Sequence, residues 1–170
     1  DGLACVSSPL DLLSCSKCIE KKRNYFYQSW LMYRLKKQLI LSHALIQDFN
    51  LVKNFERDIR GLKTIREFDD KFTAPNWGYK SVKDYYYKAS PINRIKSNLI
   101  NIPPLFLLHA KDDPWVPFKP TYDLANLLVG LSNKVKVLVT NKGGHNGFHS
   151  SSGCWSDEVV KNWLNILLKG

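Results

Sequence analysis

An α/β fold is predicted for these 170 residues: strands of a parallel sheet with helices on both faces, interrupted by a long helical insertion. Three observations predict it. After Pro103-Pro104, two continuous apolar runs, Leu105–His109 and Val135–Thr140, alternate with helix-period patterns at Thr121–Leu131 and Ser156–Leu168. Strands apolar along their whole length belong to sheets covered on both sides, and strand–helix–strand–helix order makes the pairing parallel. A third apolar run, Leu3 to Ser7, stops at Ser8-Pro9 like a buried strand entering a turn.

Between these strands the pattern is helical. From Leu10 to about Asn50 there is neither Pro nor Gly. Apolar and aromatic residues recur at helical spacing through Ile19, Tyr25, Phe26, Trp30, Tyr33 and Leu35, then Leu39, Leu41, Leu45 and Ile46. The spacing predicts two helices, amphipathic and basic on the outer face. Thr64-Ile-Arg-Glu-Phe-Asp-Asp70 begins a short helix, Pro75-Asn-Trp-Gly78 is a turn, and Ser81-Val-Lys-Asp84 opens another helix with a capping box. Tyr85-Tyr-Tyr87 falls in that helix and is expected to pack. Ser156, followed by Asp157 and Glu158, is expected to cap the last helix and place acids at its positive end. The division that follows is 1–9 as a sheet strand, 10–98 as a helical cap or lid region, and 99–170 as the core carrying the candidate site.

Composition narrows the function classes. With 44% hydrophobic residues the chain is globular, not disordered. The net charge is +10, and Lys17, Lys21, Lys22, Arg23, Arg34, Lys36 and Lys37 cluster with only Glu20 against them. Such a run is first a solvated helix face, and second a surface for anionic lipid headgroups. Nucleic-acid binding is not expected, because no groove-reading or stacking motif accompanies the charge. Four cysteines occur, and Cys15-Ser-Lys-Cys18 has the spacing of half a zinc site without a second pair to complete it. Reduced thiols in an intracellular protein are expected, with no metal and no cofactor. No apolar run reaches the ~20 residues that a spanning helix needs. The chain enters an apolar run at once after Asp1, which suggests a fragment or the tail of a longer product; a membrane anchor would then lie upstream.

Two turns at the carboxyl ends of the late strands hold ionisable residues, where the chemistry of parallel sheets is found. In Lys142-Gly-Gly-His-Asn-Gly-Phe148, glycines frame His145, so the backbone can turn sharply and present an imidazole that titrates near neutrality. In His109-Ala-Lys-Asp-Asp-Pro-Trp-Val-Pro117, two carboxylates are held on a turn stiffened by Pro114 and Pro117. Either Asp112 or Asp113 can accept the Nδ1–H of a histidine, or simply cap its own turn. His43 and His149 have no partner in the pattern. A carboxylate and a histidine so placed are two thirds of a nucleophilic triad.

These residues resemble the α/β-hydrolases, in which acid and then histidine follow the last strands. His109-Ala-x-x-Asp113-x-x-Val-Pro117 looks like that family's acid loop, which assigns the acid to Asp113, and Gly143-Gly-His-Asn-Gly-Phe148 looks like its histidine loop. Ser8-Pro-Leu-Asp11, Ile65-Arg-Glu-Phe-Asp-Asp70, Gly78-Tyr79, Tyr85-Tyr86, His109-Ala-Lys-Asp-Asp-Pro114 and Gly144-His-x-Gly-Phe148 together resemble the YheT-like branch. That branch holds bacterial esterases and eukaryotic abhydrolase-domain lipases. The resemblance implies the C-terminal part of an α/β-hydrolase fold, with Asp113 orienting and His145 as general base. It also implies acyl esters, acylglycerols or phospholipids as substrates.

The family's nucleophile stands in Gly-x-Ser-x-Gly, and no serine here has that setting. Ser7 and Ser8 follow a strand, but without flanking glycines the tight strained turn is not expected. The nucleophile and oxyanion hole are therefore expected upstream, and this chain alone is expected to be inactive. The alternative is a non-catalytic module of the same fold that binds a lipid surface or a protein partner.

Overall fold

The computed structural model describes residues 1–43, 55, 57–99, 101–129, 134–151 and 153–169, with the side chains of 42 and 43 left aside. Strand β1 (Leu3–Val6), β2 (Leu105–Ala110) and β3 (Val135–Thr140) form one sheet in that order, and both pairings are parallel. In register, Leu3 faces Leu105, which faces Val135, and the ladder runs on to Ala110 opposite Thr140. All six residues of β2 are buried, as a central strand covered on both faces requires.

The period of two along β2 sorts its side chains into two cores. Leu105 and Leu107 pack with Leu10, Ile92, Ile95, Leu124, Leu128 and Val135. They are covered by α6 (Pro91–Ser97) and α7 (Lys119–Leu128). Phe106, Leu108 and Ala110 pack with Phe148 and Trp163 on the opposite face, beneath α8 (Trp155–Lys169). Each fully buried side chain of this kind stabilises the fold by about 1.5–3 kcal/mol. The α/β architecture read from the sequence is therefore what the chain adopts.

The chain divides into two compact units, 1–18 with 87–170, and 19–86. The sheet-bearing unit includes most of α1 (Leu12–Ile19), whose first amide is held by Ser90 Oγ at 3.0 Å, together with α6. The compact helical unit spans 19–86. It holds α2 (Tyr25–His43), preceded by a 3₁₀ turn at Lys22–Asn24, then α3 (Ile65–Phe68), a π-helical turn at Asp69–Thr73, α4 (Ala74–Asn76) and most of α5 (Val82–Ala89). Thr64 and Glu67 form a true capping box at α3. At α5, Ser81 Oγ accepts the Asp84 amide at 3.2 Å, while Asp84 reaches back to the amide of Lys80. Within this unit Asp69 accepts from Thr73 Oγ1 and from the Tyr86 hydroxyl, both at 2.7 Å. Burial pushes the Asp69 carboxyl up from its ordinary value despite those two bonds.

Several expectations are corrected. Tyr25, Phe26, Trp30, Tyr33 and Leu41 of α2 are exposed, and Met32 is its buried apolar residue, so the aromatic spacing does not mark a core stripe. Phe26, Trp30 and Tyr33 recur at i, i+4 and i+7, which puts them on one outward face. Leu45 and Ile46 lie outside the described residues, as do residues 130 and 131 of the helix expected to end there. Of the tyrosine trio, Tyr86 is buried and Tyr87 is exposed, because successive helical positions point 100° apart. Ser156 does not precede the last helix but sits inside its first turn, its hydroxyl 3.1 Å from Cys154 Sγ. Pro75 and Asn76 belong to α4, and the turn proper comes at Trp77-Gly78. No helix among the described residues is long and apolar enough to cross a membrane.

Candidate active site

The acid loop leaves β2 at Lys111 and the histidine loop leaves β3 at Asn141, so both emerge at the carboxyl edge of neighbouring parallel strands. Three consecutive residues of the first reach three points of the second. Lys111 Nζ donates to Asn141 Oδ1 at 2.9 Å, the Gly144 amide donates to Asp112 Oδ1 at 2.8 Å, and His145 Nδ1 lies 3.0 Å from Asp113 Oδ2.

Asp113 divides its work between its two oxygens. Oδ1 accepts the amides of Trp115 and Val116, both at 2.9 Å, which folds the Pro114 turn back on the carboxylate. Oδ2 is left for His145. Turn-capping and orientation of a histidine, set against each other as readings of the sequence, coexist in one side chain. Its carboxylate is fully buried, whereas a quarter of the His145 side chain meets solvent. With a carboxylate against Nδ1, the proton sits there and Nε2 carries the lone pair. Among the described residues Nε2 has no hydrogen bond. The ring rests against Trp115, centroids 4.9 Å apart.

The glycines of the second loop do what their conformations demand. Gly143 has φ +150° and Gly144 φ +54°, and a Cβ at Gly143 would overlap the Phe148 ring. Gly147 then donates to the Gly143 carbonyl at 2.8 Å, closing the turn around His145. Phe148, buried against the α8 side of the sheet, anchors the far end.

Ser7 departs from expectation. It stands directly after β1 with φ +51° although no glycine flanks it, and it is buried. Its Oγ accepts the amide of Asn146, itself at φ +63°, at 3.4 Å. A tertiary bond to the histidine loop thus accompanies a conformation that local sequence disfavours. Ser7 has no hydrogen bond to His145.

His109 opens the acid-loop motif from inside β2. It is wholly buried, with Nε2 3.0 Å from the Val116 carbonyl and Nδ1 3.3 Å from Thr121 Oγ1. Burial holds its pKa below the ordinary value, against the opposing pull of Val116 and Asp113. The signal available was a histidine inside a wholly apolar strand, which must find buried partners. His149 lies exposed on β4 (His149–Ser150), paired with β5 (Gly153–Cys154); the side chain of His43 lies outside the described residues. Cys15 and Cys18 are buried on α1, and burial pushes the Cys15 thiol up to about 12, which keeps it protonated.

A family model described as the prolyl oligopeptidase family matches residues 54–169, the stretch that carries both loops. The chain is 30% identical over 164 residues to the bovine phospholipase ABHD3, covering 92% of this chain and 37% of that protein. It is 29% identical over 179 residues to the putative esterase YheT of Escherichia coli, covering 99% and 48% respectively. With the monoacylglycerol lipase of Saccharomyces cerevisiae it shares 31% over 168 residues, covering 95% and 35%. The chain therefore spans between about a third and a half of the length of these curated relatives. No solved structure matches it.

Proposed function

This chain belongs to the α/β-hydrolase family, among its esterases and lipases, and from that premise we propose that it carries the acid and base of a carboxylic ester hydrolase. One observation carries the proposal: His145 Nδ1 lies 3.0 Å from a buried Asp113 carboxylate, at the ends of adjacent parallel strands. His145 Nε2 takes the proton of a serine hydroxyl as that oxygen attacks the acyl carbon. Asp113 stabilises the imidazolium, and the same proton passes to the departing alcohol. Water then repeats the cycle on the acyl-enzyme. The serine and its oxyanion donors lie outside these 170 residues, since none of the serines here has the nucleophile-elbow setting.

The substrates are acyl esters of short to medium chain, acylglycerols or phospholipids, as the names of the relatives support. The basic residues of the helical segment, with Phe26, Trp30 and Tyr33 exposed beside them, rest on an anionic lipid surface inside the cell.

The test joins this chain to the coding segment that precedes it and follows hydrolysis of a nitrophenyl ester. Turnover abolished by His145→Ala, and absent from the 170 residues alone, is the expected result. Turnover by the short chain would locate a nucleophile within it. No turnover by the joined protein would leave a non-catalytic module of the same fold.

A further inference from the structure

Asp113 faces two imidazoles, and the mechanism uses only one. His109 is the fifth residue of β2 and points to the same side of the sheet as Leu105 and Leu107, where α7 lies. The Val116 carbonyl can only accept, so the nitrogen 3.0 Å from it, Nε2, carries the hydrogen. Nδ1 is then a lone pair, and the Thr121 hydroxyl at 3.3 Å is its donor. This single tautomer satisfies both nitrogens of a ring that is 1% exposed. The Nε2–H also lies 3.6 Å from Asp113 Oδ2, too far for a hydrogen bond but near enough for its dipole to favour negative charge there.

Val116 is the pivot. Its amide donates to Asp113 Oδ1 while its carbonyl accepts from His109, so the acid loop is gripped through both backbone groups of one residue. From these contacts we infer that His109 and Thr121 are positioning residues for the acid. The Val116 carbonyl fixes the tautomer of His109, Thr121 donates to its Nδ1, and His109 in turn holds Val116 with a ring nitrogen 3.6 Å from Oδ2. The carboxylate that meets His145 is thereby set in place from α7. Both residues are buried. The role rests on Asp113 and His145 acting as acid and base, but it can be tested without turnover.

Imidazole ¹⁵N NMR of the full chain reads the tautomer directly. In the unaltered chain His109 is expected as the neutral Nε2–H form at pH 7, and the His145 Nδ1–H proton as a far-downfield signal from its bond to Asp113. Thr121→Val, nearly isosteric, removes the donor to Nδ1, so the His109 Nδ1 resonance should move to that of an unbonded lone pair and the downfield His145 signal should weaken. Thr121→Ser, which keeps the hydroxyl, should restore both. His109 found cationic or as Nδ1–H, or a His145 signal indifferent to Thr121→Val in a folded chain, would overturn the inference. In the joined protein the corresponding expectation is a kcat reduced about threefold to tenfold by Thr121→Val at unchanged KM, in keeping with a shift of position rather than of substrate contact. NMR changes in the absence of any ester turnover would leave the positioning role standing and sink the ester-hydrolase proposal instead.

Discussion

In the helical unit Asp69 takes its side-chain bonds from hydroxyls, Thr73 on one oxygen and Tyr86 on the other. In the sheet-bearing unit Asp113 takes N–H groups: two backbone amides on Oδ1 and an imidazole on Oδ2. The difference lies in what each donor can tolerate. A hydroxyl donates or accepts, so Thr73 and Tyr86 can serve a protonated Asp69 as well as an ionised one, and burial raises its pKa without orphaning either partner. Backbone amides only donate, and Asp113 meets them with lone pairs. One carboxylate is built to fasten helices, the other to face a base.

Asp113→Ala should have the largest effect. It removes the partner of His145, and ester turnover of the joined protein is expected to fall about 10³–10⁴-fold. It also removes the acceptor of the Trp115 and Val116 amides, at a cost of about 1–3 kcal/mol for the buried Val116 donor, measurable by urea denaturation. Asp113→Asn keeps an oxygen for those amides, so turnover should be lost while most stability remains. Asp69→Asn should do neither; a comparable loss of turnover there would erase the distinction between the two carboxylates.

Gly143→Ala comes next. The new methyl meets the Phe148 ring at a backbone angle that side chains avoid, so about 1–3 kcal/mol of stability should be lost. The His145 Nδ1–H signal should weaken with it. An unaltered signal would show that the glycine turn does not place the ring. Tyr86→Phe, which takes one donor from Asp69, should cost about 1 kcal/mol in the same denaturation assay and leave turnover unchanged.

The smallest effects are slopes with pH. Asp69 has a folded pKa above its ordinary 3.8, so its contribution to stability is complete below 3.8 and lost as pH rises through the folded value. His109 has a folded pKa below its ordinary 6.5, so stability is complete above 6.5 and lost as pH falls toward the folded value. The two groups act in opposite directions. Denaturation midpoints followed from pH 4 to 7 should lose the first slope in Asp69→Asn and the second in His109→Gln. Slopes that persist in both variants would assign the titration elsewhere.

Much of the fold was legible because it is written in local pattern. Leu105–Ala110 and Val135–Thr140 are apolar runs long enough for strands, and Gly143, Gly144 and Gly147 mark a turn that few other residues could make. Asp113 and His145 stood out because each sits where such a strand ends. What escaped was set by partners distant along the chain. Ser7 adopts a left-handed φ beside a bond to Asn146, 139 residues away, which no local propensity registers. His109 gained its meaning only when α7 brought Thr121 to its Nδ1. The aromatics of α2 have the spacing of a core face, and spacing alone does not say which face is covered.

The rungs between the two loops have a consequence for how their lengths can change. Along β2 and β3 paired residues differ by 30 in number, as Ala110 and Thr140 do, and Lys111 to Asn141 keeps that offset. At Asp112–Gly144 and Asp113–His145 the offset is 32, so the second loop gains two residues before it meets the acids. One residue added to either loop alone would slide both acids past their partners together. The loops are geared, and a graft of one into another scaffold should work only when its counterpart travels with it.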